Sequence, residues 1–273
     1  MKIFNTTSGV IIQHNEQNYG VNEDWDKFIN DDNLRTKCET LIENGLDIVE
    51  EVGDILPPIR SQEIWASGVT YFNSKMARLE ESLKAGGGTF YEKVYHADRP
   101  ELFYKGNALR CVGQNGKVRI RRDSTWNVPE PEFTIMVTSN KKIIGYTIGN
   151  DMSSRSIEGE NPLYLPQAKT YDGSASIGPC LYLDEDFPKP DTEISLEIRR
   201  GEQVVWSEST QFSQMKRSLI DLTDYLFREC SFPNGCLLMT GTGIIPASEF
   251  TLNSGDEIII AIDKIGVLKN TVE

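Results

Sequence analysis

Between Pro129 and Asp151 the chain reads as two alternating strands joined by a polar turn, and this pattern limits the fold more than any other feature. Pro129-Glu130-Pro131-Glu132-Phe133-Thr134-Ile135-Met136-Val137 runs into Ser139-Asn140-Lys141-Lys142 and returns as Ile143-Ile144-Gly145-Tyr146-Thr147-Ile148-Gly149-Asn150-Asp151. Side chains of a strand alternate between faces, so Phe133, Ile135, Val137, Ile144, Tyr146 and Ile148 form one apolar face. Glu130, Glu132, Thr134, Met136, Gly145, Thr147, Gly149 and Asp151 share the other. A two-residue Asn140-Lys141 turn pairs Ser139 with Lys142, sets Glu132 opposite Gly149 and brings Glu130 opposite Asp151. Three carboxylates then converge at the open end of one hairpin.

Carboxylates gathered in this way repel one another unless protons or a cation neutralise them. Hard oxygen donors suit Mg²⁺, with Mn²⁺ or Ca²⁺ as alternatives, water or substrate completing the shell. The competing reading is an exposed acidic strand end, and an unrecognised bulge would shift the register towards it.

The rest of the chain is consistent with an α+β, β-rich class. From Leu102 onward short strands are separated by Gly, Pro and Asn turns, with one late helix expected near Gln214 to Glu229. Residues 1–58 read as a small N-terminal α/β domain, with strands around Ile3 and Val10 to Ile12 and helical spacing in Leu34, Cys38, Leu41, Ile42 and Leu46. Leu56-Pro57-Pro58 is the expected linker, because paired prolines hold the backbone extended, and residues 59–273 are expected to form the larger domain. The polar run 73–84, followed by Gly86-Gly87-Gly88, reads either as a lid or as a solvated surface helix. Ser153 to Gly173 is a long polar loop, of the kind that often carries function. No GxGxxG or P-loop opens a helix.

Composition removes several functions. A net charge of −13 argues against nucleic acid as a partner. No stretch approaches the roughly 20 apolar residues of a membrane span. Met1 to Thr7 lacks the apolar region of a secretory signal, so a cytoplasmic location is expected. The five cysteines show no CxxC pair and are expected to be buried thiols. With only His14 and His96 present, a three-histidine zinc site is excluded, and acid–base work falls to carboxylates and lysine. Lys169 either brings a cation to a substrate anion or is a surface lysine. The amides and hydroxyls of Thr240-Gly241-Thr242-Gly243 either hold a carboxylate or form a plain tight turn.

Pro129-Glu130-Pro131-Glu132, Gly149-Asn150-Asp151, Lys169, Thr240-Gly241-Thr242-Gly243 and Ser254-Gly255-Asp256-Glu257 follow in an order that resembles the fumarylacetoacetate hydrolase family over residues 60 to 273. That resemblance implies a mixed β-roll behind a small N-terminal domain, assembled as a homodimer or higher homo-oligomer. It also implies Glu130, Glu132 and Asp151 as the metal ligands. The hydrolases and decarboxylases of the family carry a histidine in a GxNYxxHxxE-like segment, and the matching stretch from Gly68 to Glu81 has none.

Gly68-Val69-Thr70-Tyr71, Arg99-Pro100-Glu101-Leu102-Phe103, Asp123-Ser124, the run from Glu160 to Lys169, and Thr240 to Pro246 resemble instead the sugar-acid dehydratase branch. The implied activity is that of a metal-dependent hydro-lyase. Its substrate would be a small 2-oxo acid, a 2-oxo-3-deoxy sugar acid of the 2-dehydro-3-deoxy-arabinonate type, and its product 2,5-dioxopentanoate. Glu101 would be an acid/base carboxylate and Lys169 a substrate-contacting base or cation. From their spacing, Ser74 and Arg78, four apart on the possible lid helix, either clamp the substrate or decorate a surface helix, and Thr242 would contact substrate. The chemistry is coherent: a 2-oxo acid chelates Mg²⁺ through carboxylate and ketone oxygens, which favours an enolate after loss of the C3 proton. Departure of the C4 hydroxyl then needs a proton donor. An acylpyruvate-type C–C hydrolase or an oxaloacetate decarboxylase is the alternative.

Overall fold

In the computed structural model, which describes residues 1–72 and 89–273, the acidic hairpin lies inside a large mixed sheet. Pro131–Val137 pairs antiparallel with Ile143–Asp151, Glu132 stands opposite Gly149, and the Asp151 N–H donates to Glu130 O at 3.0 Å. The register at the acidic end is the expected one. The turn is not. Thr138 N–H donates to Lys142 O and Lys141 N–H to Thr138 O, so Ser139, Asn140 and Lys141 form a three-residue loop with Lys141 at φ +67°. A loop of that kind closes one residue away from a two-residue turn. An irregularity beside Met136 and Val137, which leaves Ile144 out of the pairing, restores the register.

Neighbouring strands enclose the hairpin on both edges. Cys236–Met239 pairs antiparallel with Pro131–Val137, and Ala175–Tyr182 pairs antiparallel with Ile143–Asp151. Beyond Cys236–Met239 come Glu63–Gly68, parallel to it, and then Glu101–Asn107, antiparallel to Glu63–Gly68. The close fit shows at Gly149, where a Cβ would come within 2.4 Å of Thr134 Oγ1.

The two faces of the hairpin meet different cores. Phe133, Ile135, Val137 and Ile148 pack on a second sheet through Ile194, Leu196, Ile258, Ile260 and Leu268. That sheet orders Gln203–Gln211, Glu193–Arg200, Glu257–Ile262, Gly266–Val272 and Lys117–Val118 side by side. Met136 on the opposite face joins Met239, Leu237, Ile64 and a set of N-terminal residues including Ile3, Trp25 and Phe28. Burying such side chains, at roughly 1.5–3 kcal/mol each, fixes which way every strand faces. Since side chains alternate, the apolar face also decides where the acids point.

The N-terminal strands extend the large sheet, with Lys2 opposite Tyr182 and Ile3 opposite Leu181. We propose 1–58 as the smaller unit; its helices Trp25–Ile29 and Leu34–Glu43 bring Trp25, Phe28, Ile29, Leu34 and Cys38 into a cluster shared with Ile64, Met136 and Leu237 of the large sheet. The late helix is shorter than its sequence pattern, spanning Leu219–Leu226. Ser218 caps it by accepting from Asp221 N–H, and the Lys216 N–H just before it donates to Thr70 O instead of starting a helical turn.

The stretch after Asp151 is not an irregular loop. It folds as the short strand Ser153–Ser154, the helices Arg155–Glu160 and Leu165–Lys169, and a 3-10 turn at Pro162–Tyr164. Asn161 starts that turn by accepting from Leu163 N–H, with Pro162 in the first position, where no donor is needed. All five cysteines are free thiols; Cys38, Cys180 and Cys236 are buried as expected, Cys111 is partly buried, and Cys230 is exposed. Among the described residues no helix is long and apolar enough to cross a membrane.

Candidate metal centre and active site

The structure brings Glu130, Glu132 and Asp151 together below the surface, each offering an oxygen, with these atoms all within 4.8 Å of one another. They line a cleft enclosing about 300 Å³ of empty volume, together with Phe103, Arg155, Lys169, Gly241 and Thr242. Neither His14 nor His96 is in that lining.

Each acid is positioned from a different direction. Glu130 precedes its strand, and its Oε1 accepts from an Arg155 NH2 group at 2.6 Å. Arg155 opens its helix with its backbone N–H on Trp126 O, which aims the guanidinium inward. Asp151 ends the return strand opposite Ala175. Glu132 Oε2 accepts from the Gly241 N–H at 2.6 Å. That amide is set by Thr240, whose N–H and hydroxyl both reach Phe133 O. The glycine is required there: its φ is +94°, and a Cβ would fall 1.9 Å from Thr70 Oγ1. The Thr240-Gly241-Thr242-Gly243 turn thus does hold a carboxylate, but one belonging to the protein.

Lys169, at the end of its helix, is a buried residue of the centre rather than a surface lysine. Its Nζ donates to Glu130 Oε2 at 2.6 Å, to Asp151 Oδ2 at 3.1 Å, and to Ser153 Oγ. Glu130 and Asp151 are therefore matched by cations. Glu132 forms no ion pair among the described residues. Burial, with Asp151 and Glu130 beside it, holds its carboxyl well above the usual carboxylate range. This is the condition a divalent cation would relieve, and three hard carboxylate oxygens are a donor set that suits one.

Glu101 occupies the rim. It opens the strand Glu101–Asn107 opposite Gly68, and its carboxylate covers that glycine so closely that a Cβ there would be 2.1 Å from Oε2. Gly68 lines the cleft, whereas Glu101 itself lines a neighbouring cavity with about 1280 Å³ of empty volume, together with Arg99 and Leu163. Thr242 reaches the cleft wall, with its hydroxyl tied to Ile244 O and Ile244 N–H at 3.1 Å each. Ser74, Arg78 and the run 73–84 lie outside the described residues.

Sequence patterns did not single out Lys105. Its side chain is fully buried, and its Nζ lies 2.6 Å from Asp151 Oδ1 while also donating to Met152 O and Lys169 O. Lys105 is the residue left out of pairing where Trp65 meets Tyr104 and Ile64 meets Gly106, a bulge that re-aims it inward. The available signal was spacing: Glu101, Phe103 and Lys105 recur at every second position of one strand. Arg155 was likewise visible only as part of a polar stretch.

A buried carboxylate trio with an inserted lysine, carried on a β-rich roll of mixed sheets, defines a divalent-metal enzyme centre. The sequence profile described as "Fumarylacetoacetate (FAA) hydrolase C-terminal" matches residues 81–273, and the chain belongs to that family. A protein of Haloferax volcanii named "Probable 2-keto-3-deoxyxylonate dehydratase" is 46% identical over 216 residues, 79% of this chain and 73% of its own length. The 2-dehydro-3-deoxy-D-arabinonate dehydratase of Saccharolobus solfataricus is 40% identical over 221 residues, 80% of this chain and 74% of its own. A solved structure of 2-keto-3-deoxy-D-arabinonate dehydratase complexed with magnesium and 2,5-dioxopentanoate superimposes with a TM-score of 0.85 at 34% identity, covering 100% of this chain and 99% of that one.

Proposed function

We propose that this protein is a Mg²⁺-dependent dehydratase that converts a 2-oxo-3-deoxy sugar acid of the 2-dehydro-3-deoxy-arabinonate type to 2,5-dioxopentanoate. The observation that carries this reading is the insertion of Lys169 among three buried carboxylates, 2.6 Å from Glu130, in a chain whose relatives act on such acids.

Glu130, Glu132 and Asp151 would hold the cation, with Mn²⁺ or Ca²⁺ as substitutes to be compared with Mg²⁺. When bound it supplies a Lewis acid for the oxygens of the keto acid. Lys169 and Glu101 divide the proton transfers between them: one takes the C3 proton, and the other protonates the C4 hydroxyl as the C4–O bond breaks and water leaves. The conjugated acid so formed loses a proton from C5 and gains one at C3, and the resulting enol becomes the aldehyde. Thr242 contributes to the wall that receives substrate, with Ser74 and Arg78 as further contacts. A homo-oligomeric assembly, which rests on the family resemblance, and a cytoplasmic location complete the reading.

The test is incubation of the protein with a panel of 2-oxo acids, with and without EDTA, and product analysis by mass. Loss of one water from a 2-oxo-3-deoxy pentonate in the metal-loaded sample supports dehydration. Gain of a water or loss of carbon dioxide would replace it with the acylpyruvate hydrolase or oxaloacetate decarboxylase reading.

A further inference from the structure

Besides the shared Lys169 ammonium, each acid of the centre has an oxygen held by a further protein group. Arg155 holds Glu130 Oε1 at 2.6 Å, the Gly241 amide holds Glu132 Oε2 at 2.6 Å, and Lys105 stands 2.6 Å from Asp151 Oδ1. Lys105 is a side chain held in place on several sides. The bulge places it, Asp151 is 1% exposed and Lys105 0%, and the carbonyls of Met152 and Lys169 take further donor positions of its ammonium. A carboxylate ion-paired through one oxygen to a buried ammonium that is itself tied to two carbonyls turns its other oxygen toward the open side of the site. For Asp151 that is Oδ2, the atom facing Lys169 at 3.1 Å.

We propose that Lys105 is a positioning residue that limits Asp151 to one oxygen donor and so sets the preference of the centre for a small cation over Ca²⁺. Magnesium requires near-ideal six-coordination by single oxygens, whereas calcium takes six to eight oxygens and readily accepts both from one carboxylate. Clamping the outer oxygen therefore costs calcium a ligand and costs magnesium nothing. The contact with Lys169 O adds a second consequence, since the same ammonium fixes the backbone from which the site lysine projects. This inference rests on the metal reading above but concerns selectivity, which the reaction itself does not require.

The test is calorimetric titration of the metal-stripped protein with Mg²⁺ alone and Ca²⁺ alone, for the natural chain and Lys105→Met. The ratio of the Ca²⁺ to the Mg²⁺ dissociation constant is expected to fall at least tenfold in the variant. Equal weakening of both cations, or an unchanged ratio, would reduce Lys105 to a structural residue and overturn the proposal. A natural chain that binds neither cation would overturn the metal reading itself. Should the variant not fold, the carboxylate infrared bands of the natural protein decide the matter. The one-oxygen band separation is expected with Mg²⁺ and Ca²⁺ alike, and a two-oxygen separation appearing with Ca²⁺ refutes the clamp.

Discussion

Lys169 Nζ donates to Glu130 Oε2 over 2.6 Å where the lysine side chain is 1% and the glutamate 6% exposed, a charge pair closed off from water. Removing one partner of such a pair strands the other. The same change in an acid without a cationic partner relieves the protein. Glu130→Gln is therefore expected to destabilise the metal-free protein by about 3 kcal/mol, because Lys169 and Arg155 both lose a charged acceptor. Glu132→Gln should leave metal-free stability unchanged or raise it by about 1 kcal/mol, since the amide oxygen still accepts from Gly241 N–H. Denaturant unfolding in EDTA reads both, and similar losses for the two variants would contradict this assignment of charges.

Divalent cation should act as a ligand of the folded state only. Mg²⁺ at a hundred times its dissociation constant is expected to add about 2.7 kcal/mol of stability and to raise the melting temperature. Glu132→Gln should abolish that rise while remaining folded. EDTA should remove turnover, and Mg²⁺ should restore it. A melting temperature indifferent to Mg²⁺ would count against Glu130, Glu132 and Asp151 as ligands.

Gly68→Ala offers a way to move Glu101 without altering it. A Cβ at Gly68 would lie 2.1 Å from Glu101 Oε2, the far end of a flexible side chain, so the carboxylate must swing aside at small cost to folding. If Glu101 transfers a proton, turnover should fall by about 10²-fold, the scale of one general acid or base. The melting temperature should change by no more than a few degrees. Retained turnover in a variant shown to have displaced Glu101 would remove that residue from the chemistry.

The thiols supply a pH dependence with a definite sign. Burial pushes Cys38 and Cys180 up from the ordinary 9.0 to about 12. Between those values the folded chain keeps protons that the unfolded chain releases. The contribution is therefore fully present below pH 9 and is lost as pH rises towards about 12. Unfolding midpoints measured from pH 8 to pH 11 should fall more steeply in the natural protein than in Cys180→Ala. At pH 8 a thiol reagent should modify exposed Cys230 rapidly and the buried Cys38, Cys180 and Cys236 only on unfolding.

Local sequence determined the acidic hairpin, its two faces and the pairing of Glu132 with Gly149, because alternation is a property of one strand and needs no distant partner. It also carried the clustering of the three carboxylates and, through ordered motifs, the family. It missed the turn, where a three-residue loop and a bulge offset one another, since neither leaves a mark in residue type.

The burial of Lys169, the inward aim of Arg155, the Gly241 amide on Glu132 and the place of Lys105 beside Asp151 were decided only by tertiary structure. Those contacts join residues 25 to 109 positions apart, and a bulge in one strand or a glycine at φ +94° in a turn decides which side chain arrives. A lysine in a polar stretch and a lysine inside a metal centre look alike until the sheets close over one of them.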